Sequence, residues 1–140
     1  MPVLVPEVDT LMLGDERGAS TALCSYMISF VDKELSARLF KNMKTALYEN
    51  KGLYAGIREY PRELESFMDG NSGPIVDDLG VTASGFALGA AKRHNEKEMF
   101  TNLYKTAAMV GCSDVSDHSF EFNRGAIIGN VILFAMLTAN

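Results

Sequence analysis

Ser72-Gly73-Pro74-Ile75-Val76-Asp77-Asp78-Leu79-Gly80-Val81-Thr82-Ala83-Ser84-Gly85-Phe86-Ala87-Leu88-Gly89-Ala90-Ala91-Lys92-Arg93-His94 is the stretch on which the reading of this chain turns. It predicts a helix from Pro74 or Ile75 to about His94, with Pro74 in the first turn, where its missing N–H costs nothing. Gly80, Gly85 and Gly89 then fall inside the helix, at about 1 kcal/mol each relative to alanine. Close approach of neighbouring backbones is the compensation expected, because Gly80, Ala83, Ser84, Ala87 and Ala91 form a face of small residues. Such a helix belongs in the middle of an assembly.

The same plan occurs elsewhere in the chain. Glycine turns at Arg17-Gly18-Ala19, Ser72-Gly73-Pro74 and Arg124-Gly125-Ala126 each precede a helix rich in small apolar residues. The first such helix is expected over about Ala19 to Phe30, and the last over Arg124 to Thr138. Two outer helices follow the first two copies. One is capped by Asp32 and reaches about Asn50, with Leu35, Leu39, Met43 and Leu47 at helical spacing. The other is capped by Asn95 and runs from about Glu96 to Val110, with Met99, Leu103 and Ala107. Residues 1–16 read as an irregular lead-in to one domain spanning 1–140, and residues 17–140 as an array of helical hairpins. Residues 51–74 and 111–123 read as loops. The expected fold is therefore all-α: about five main helices forming a partial α/α toroid, with loops at one end building any site.

The length of 140 residues gives one domain able to bury about two-thirds of its unfolded surface. A net charge of −5 argues against a nucleic-acid surface. Met1 to Leu13 is broken by Pro2, Pro6, Glu7 and Asp9, so it reads as no leader. The apolar run Ala126–Ala139 is shorter than the about 20 residues of a membrane span. Cys24 and Cys112 read as buried free thiols, and with neither leader nor span a cytoplasmic location is expected. The run from Ala126 onward is too apolar to face water, which predicts a homodimer or higher homo-oligomer.

Gly56-Ile57-Arg58-Glu59-Tyr60-Pro61-Arg62, then Ser72-Gly73-Pro74, then Thr82-Ala83-Ser84-Gly85-Phe86-Ala87-Leu88-Gly89-Ala90-Ala91, and finally Gly129-Asn130-Val131-Ile132-Leu133-Phe134-Ala135-Met136-Leu137-Thr138 resemble a pattern in bacterial α/α-toroid proteins. These are the six-hairpin glycosidase-like and linalool dehydratase/isomerase-like group. The resemblance implies a cavity fold, a bacterial source and the C-terminal half of a ring; it implies no single reaction, since the group includes hydrolases, lyases and isomerases. Asp77-Asp78 departs from the pattern, standing where apolar or aromatic residues are expected.

Chemistry is expected in the loop charges. Glu59, Asp77 and Asp78 are the candidate catalytic carboxylates, with Asp69 or Glu121 as further acidic partners, and Arg58, Tyr60, Arg62 and Ser72 are candidate ligand contacts. The competing structural reading makes Arg58 to Glu63 an ion-paired wall and Asp77 or Asp78 a helix-dipole partner. Tyr48, Tyr54 and Tyr60 could line a cleft for a carbohydrate or another small molecule. His118 with Asp114, Asp117 and Glu121 matches no metal-ligand spacing, so no metal and no cofactor are expected. His94 reads as a helix-end residue. Two functions follow: a self-associating helical module without activity of its own, or a glycosidase-like or lyase-like enzyme domain using the loop carboxylates in a central cleft.

Overall fold

The computed structural model describes residues 17–64, 68, 72–111, 113–115, 120–122 and 126–138, with backbone alone between 112 and 128. The lead-in 1–16 and the turn at Arg124-Gly125 lie outside them. In order come α1 (Gly18–Ile28), α2 (Lys33–Ala46), β1 (Tyr48–Asn50), β2 (Ala55–Arg58), β3 (Ile75–Val76), β4 (Leu79–Gly80), α3 (Val81–Arg93), α4 (Lys97–Gly111), β5 (Ser113–Val115), β6 (Phe120–Phe122) and α5 (Ala126–Thr138).

The all-α expectation is corrected by the strands. A four-stranded antiparallel sheet in the order β1-β2-β4-β3 is formed by the chain between α2 and α3, and β5 pairs with β6. The protein is mixed α/β, and the all-α toroid falls with that finding. Two sequence readings produced the error. The second helix was expected to reach Asn50, but it ends at Ala46, and Tyr48, Glu49 and Asn50 turn outward to pair with Ile57, Gly56 and Ala55. Pairing across the sheet outweighs weak helix propensity in so short a segment. The third helix was expected from Pro74, yet Ile75–Val76 and Leu79–Gly80 form a hairpin ahead of it.

That hairpin turns on Asp77 and Asp78. Both lie in the left-handed region, at φ 48° and 66°. A two-residue loop with both central residues at positive φ is the turn whose twist matches antiparallel strands, and aspartate tolerates that conformation better than most residues. The acidic pair is therefore a turn rather than the first turn of a helix. Gly80, expected inside the helix, stands at its N-cap.

The helices follow their patterns more closely. Asp32 caps α2 by accepting the Leu35 N–H at 2.9 Å, and Phe40, Met43 and the following Leu47 enter the core. In α3, Ala83, Ala87, Leu88, Ala90 and Ala91 are fully buried. This helix is the centre of the molecule, packed against α1, α4 and α5. Its Gly85 and Gly89 face α5: a β-carbon at Gly85 would meet Ile132 at 3.1 Å, and one at Gly89 would overlap the Met136 sulfur.

The contacts also fix helix direction. The N-termini of α1 and α3 converge on Glu59, and near their C-termini Arg93 donates to Ser29 Oγ at 3.0 Å. Residues 85, 89 and 92 of α3 meet 132, 136 and 137 of α5 in ascending order. So α1, α3 and α5 form a parallel row, and α2 and α4 pack on α1 and α3 respectively. Among the described residues, no helix is long and apolar enough to cross a membrane.

Candidate functional site

The motif that carried the expected chemistry, Gly56 to Arg62, begins in β2, which is buried throughout. Burial on both sheet faces explains the absence of polar alternation. Gly56 admits α3 and β4 at close range: a β-carbon there would meet Ser84 Oγ at 2.8 Å and Leu79 Cδ1 at 2.9 Å. Backbone N–H groups of β2 reach the flanking helices, Ile57 donating to Ser84 Oγ at 2.9 Å and Ala55 to Thr106 Oγ1 at 2.8 Å. On the other side Gly18 lies so near the Arg58 carbonyl that only glycine fits.

Glu59 follows directly and is 1% exposed. Its backbone carbonyl accepts Gly18 N–H at 2.9 Å, and its Oε2 accepts Ala19 N–H at 3.1 Å. Its Oε1 takes the Arg17 guanidinium at 3.1 Å. Arg17 in turn lies over the ring of Tyr60, 5.1 Å from its centroid. Helix α1 has no cap from its own N-cap side chain; a carboxylate 40 residues away supplies it. The positive end of the helix and Arg17 together compensate a buried negative charge that would otherwise be costly. Glu59 Oε2 also lies 3.3 Å from where a Gly80 β-carbon would stand, beside the start of α3.

A second group of charges runs outward from the buried Arg58 to the surface. Arg58 donates from Nε to the Tyr60 carbonyl at 3.1 Å, and its Nη1 lies 3.6 Å from Glu49 and 3.5 Å from Asp78. Arg62 meets Glu49 at 3.0 Å. Lys51 donates to both the carbonyl and the carboxylate of Asp77, at 2.7 and 2.8 Å, and the Tyr54 hydroxyl donates to the same carboxylate. Bonds from Lys51, and then from Tyr54, hold the Asp77 carboxyl below its ordinary pKa. The same contact with Asp77 raises Lys51 and Tyr54 above theirs.

The predicted site residues thus separate into two settings. Glu59 and Tyr60 are interior, whereas the Asp77 and Asp78 side chains are 51% and 53% exposed on a hairpin turn. Arg58 bridges to Asp78 but not to a shared cleft with Glu59. Ser72 is buried, and its hydroxyl donates to the Gly73 carbonyl at 2.9 Å. The three tyrosines also part company: Tyr48 accepts from Asn102 on α4 at 3.4 Å, Tyr54 meets Asp77, and Tyr60 lies under Arg17. Opposed carboxyl groups flanking a substrate, which glycoside cleavage needs, are not formed by these positions.

Sequence reasoning missed Arg17, Glu49 and Lys51. Arg17 stood in a recognised glycine turn, but Glu49 read as the polar side of a helix. A shallow depression of about 250 Å³ lies at the start of α2, lined by Asp32, Glu34, Leu35 and Arg38, none of them predicted. Among the described residues no cluster of three or more His, Cys, Asp or Glu side chains is placed to hold a metal ion. His118, Asp117 and Asp69 lie outside the described residues, as do the side chains of Asp114 and Glu121.

No protein-family model matches this chain, and no curated protein does.

Proposed function

We propose that this chain is an assembly module: a helix–sheet unit whose exposed last helix docks on another protein surface of the same kind. One observation carries the reading. Helix α5 contains no charged residue, packs Ile132, Leu133, Met136 and Leu137 toward the core, and leaves Val131 and Phe134 61% and 72% exposed on its opposite side. Monomers seldom expose contiguous apolar patches larger than a few hundred Å², and no charge interrupts this face of α5.

Magnitudes limit what can cover it. Fully burying a valine or phenylalanine side chain is worth about 1.5–3 kcal/mol, and association costs an estimated 4–15 kcal/mol. Val131 and Phe134, already partly covered, together supply less than about 3–6 kcal/mol, at best the bottom of that range, so the partner surface must bring apolar area of its own. Cys24, expected to be buried, is exposed; a free thiol there fits a reducing compartment, so we place the protein in the cytoplasm.

An enzymatic reading stands second. Its support is the charge network through Arg58; against it, both Glu59 oxygens are engaged by α1 and Arg17. Sedimentation velocity over a concentration series tests the assembly reading. The wild type is expected to form dimers or larger species, and Phe134→Glu to sediment as a monomer with unchanged helicity. A wild type that stays monomeric at every concentration overturns it.

A further inference from the structure

We infer that the surface covering α5 is the outer face of α1 in a second copy of this chain. This rests on the assembly reading above and names the partner surface. Helices α1, α3 and α5 form a parallel row with α3 at its centre. Each end of that row presents an open face turned away from α3. On α5 this face holds Val131, Phe134, Ala135 and Thr138; on α1 it holds Ser20, Cys24 and Met27, with Val31 just beyond the helix end. Met27 is 56% exposed and Val31 91%, so α1 supplies the apolar area that α5 by itself lacks.

Charge points the same way. Two copies of a chain carrying −5 repel each other over most of their surfaces. Neither α1, Gly18–Ile28, nor α5, Ala126–Thr138, contains a formal charge. The two open faces are where two copies can meet without opposing carboxylates.

Size is matched as well. Tyr26 of α1 and Met136 of α5 both reach the space over Gly89, so they share a height along the row. At that alignment Cys24 is level with Phe134, and Met27 is level with Leu137, one position from Thr138 and within a turn of Ala135. A copy of α1 set next to α5 as another parallel member places Phe134 against the small Ser20 and Cys24. Met27 then stands against the small Ala135 and Thr138. Large faces small at both levels, which interdigitating helices require.

Cysteine cross-linking of the full chain tests the pairing. In a Cys112→Ser background, Phe134→Cys is oxidised mildly and the linked peptides are identified by mass spectrometry. Position 134 is expected to bond to the native Cys24 of another copy, since α3 separates the two positions within one copy and a disulfide needs Cα atoms about 5.5–6 Å apart. A second variant, Thr138→Cys with Met27→Cys and both native cysteines replaced by serine, is expected to link 138 to 27 between copies. Bonds only between identical positions, or no bond in species that still sediment as dimers or larger, overturn the α1 pairing and leave assembly standing. Loss of all association in the unmodified protein overturns both.

Discussion

Around Glu59 polar groups are buried and partnered; along the outer side of α5 apolar groups stand in water. The two regions are related through α3. Its N-terminus sits beside the Glu59 carboxylate, and its glycine face receives α5. Burial of charge at the first region locks strand to helix within one chain, because each oxygen there has a donor that arrives from another element. Exposure at the second contributes nothing to that lock and points outward, to the side on which a neighbour is proposed. Two regions of one small fold thus serve different ends, and substitutions should affect them differently.

The largest effect is expected where two backbones nearly touch. Gly18→Ala would drive a β-carbon into the Arg58 carbonyl and to 3.0 Å from Ile57 Cγ2. A carbonyl held in a four-stranded sheet cannot step aside as a flexible side-chain tip can. Overpacking costs typically 1–3 kcal/mol and occasionally more, and about 3 kcal/mol or above is expected here, read from the urea midpoint. A loss below about 1 kcal/mol would mean that the sheet and α1 are not locked as described.

A smaller effect separates the buried acid from the exposed ones. Glu59→Gln keeps the shape and one acceptor oxygen for Ala19 N–H but removes the charge facing Arg17. Hydrogen bonds to charged groups contribute about 1.5–3 kcal/mol, and Arg17 is 24% exposed, so water softens the loss toward the lower figure. Asp77→Asn, on a turn open to solvent, is expected to leave the midpoint almost unmoved. Equal losses for the two variants would erase the contrast between interior and surface carboxylates.

How much of this was legible follows from the same contrast. Helices α2 and α4 could be read directly, since Leu35, Leu39, Met43 and Leu47 repeat at helical spacing and Asp32 caps as expected. The small-residue character of α3 was legible too, but its start was not. Strands of two residues carry no period, and Asp77-Asp78 has the composition of a helix N-terminus as much as of a turn. Strand β2 hides for another reason: a segment buried on both faces shows no alternation, and Arg58 within it resembles a loop charge. The charge cluster at Arg58–Glu59 was visible, yet its role was not. Glu59 is defined by Ala19 and Arg17, 40 and 42 positions upstream, and sequence spacing does not reveal that meeting.

An effect that shows only as pH changes is expected at the C-terminal end of α3, where a polar group is partly buried and can take up a proton. His94 closes α3, stacks on Phe40 with centroids 4.6 Å apart, and lies 2.8 Å from Ser36 Oγ. Ser36 gives its hydroxyl proton to the Ser25 carbonyl at 2.5 Å, so the hydrogen between Ser36 and His94 is carried by Nε2. Burial, and then neighbouring Arg93, push the imidazole below its ordinary pKa; the Ser25 backbone and Glu96 oppose them without prevailing. The sign follows from linkage. Above the unfolded value of about 6.5 both states are neutral and the contribution is complete. As pH falls through that value the unfolded chain binds a proton first, and stability is lost. The melting temperature of the wild type is therefore expected to drop more steeply than that of His94→Gln between about pH 7 and pH 5.5. His118 and the carboxylates are common to both proteins, so they cancel in the difference. Parallel curves would show that His94 is no more buried in the fold than in the open chain, and that the seam joining α1, α2 and α3 through Ser25, Ser36 and His94 is open to water.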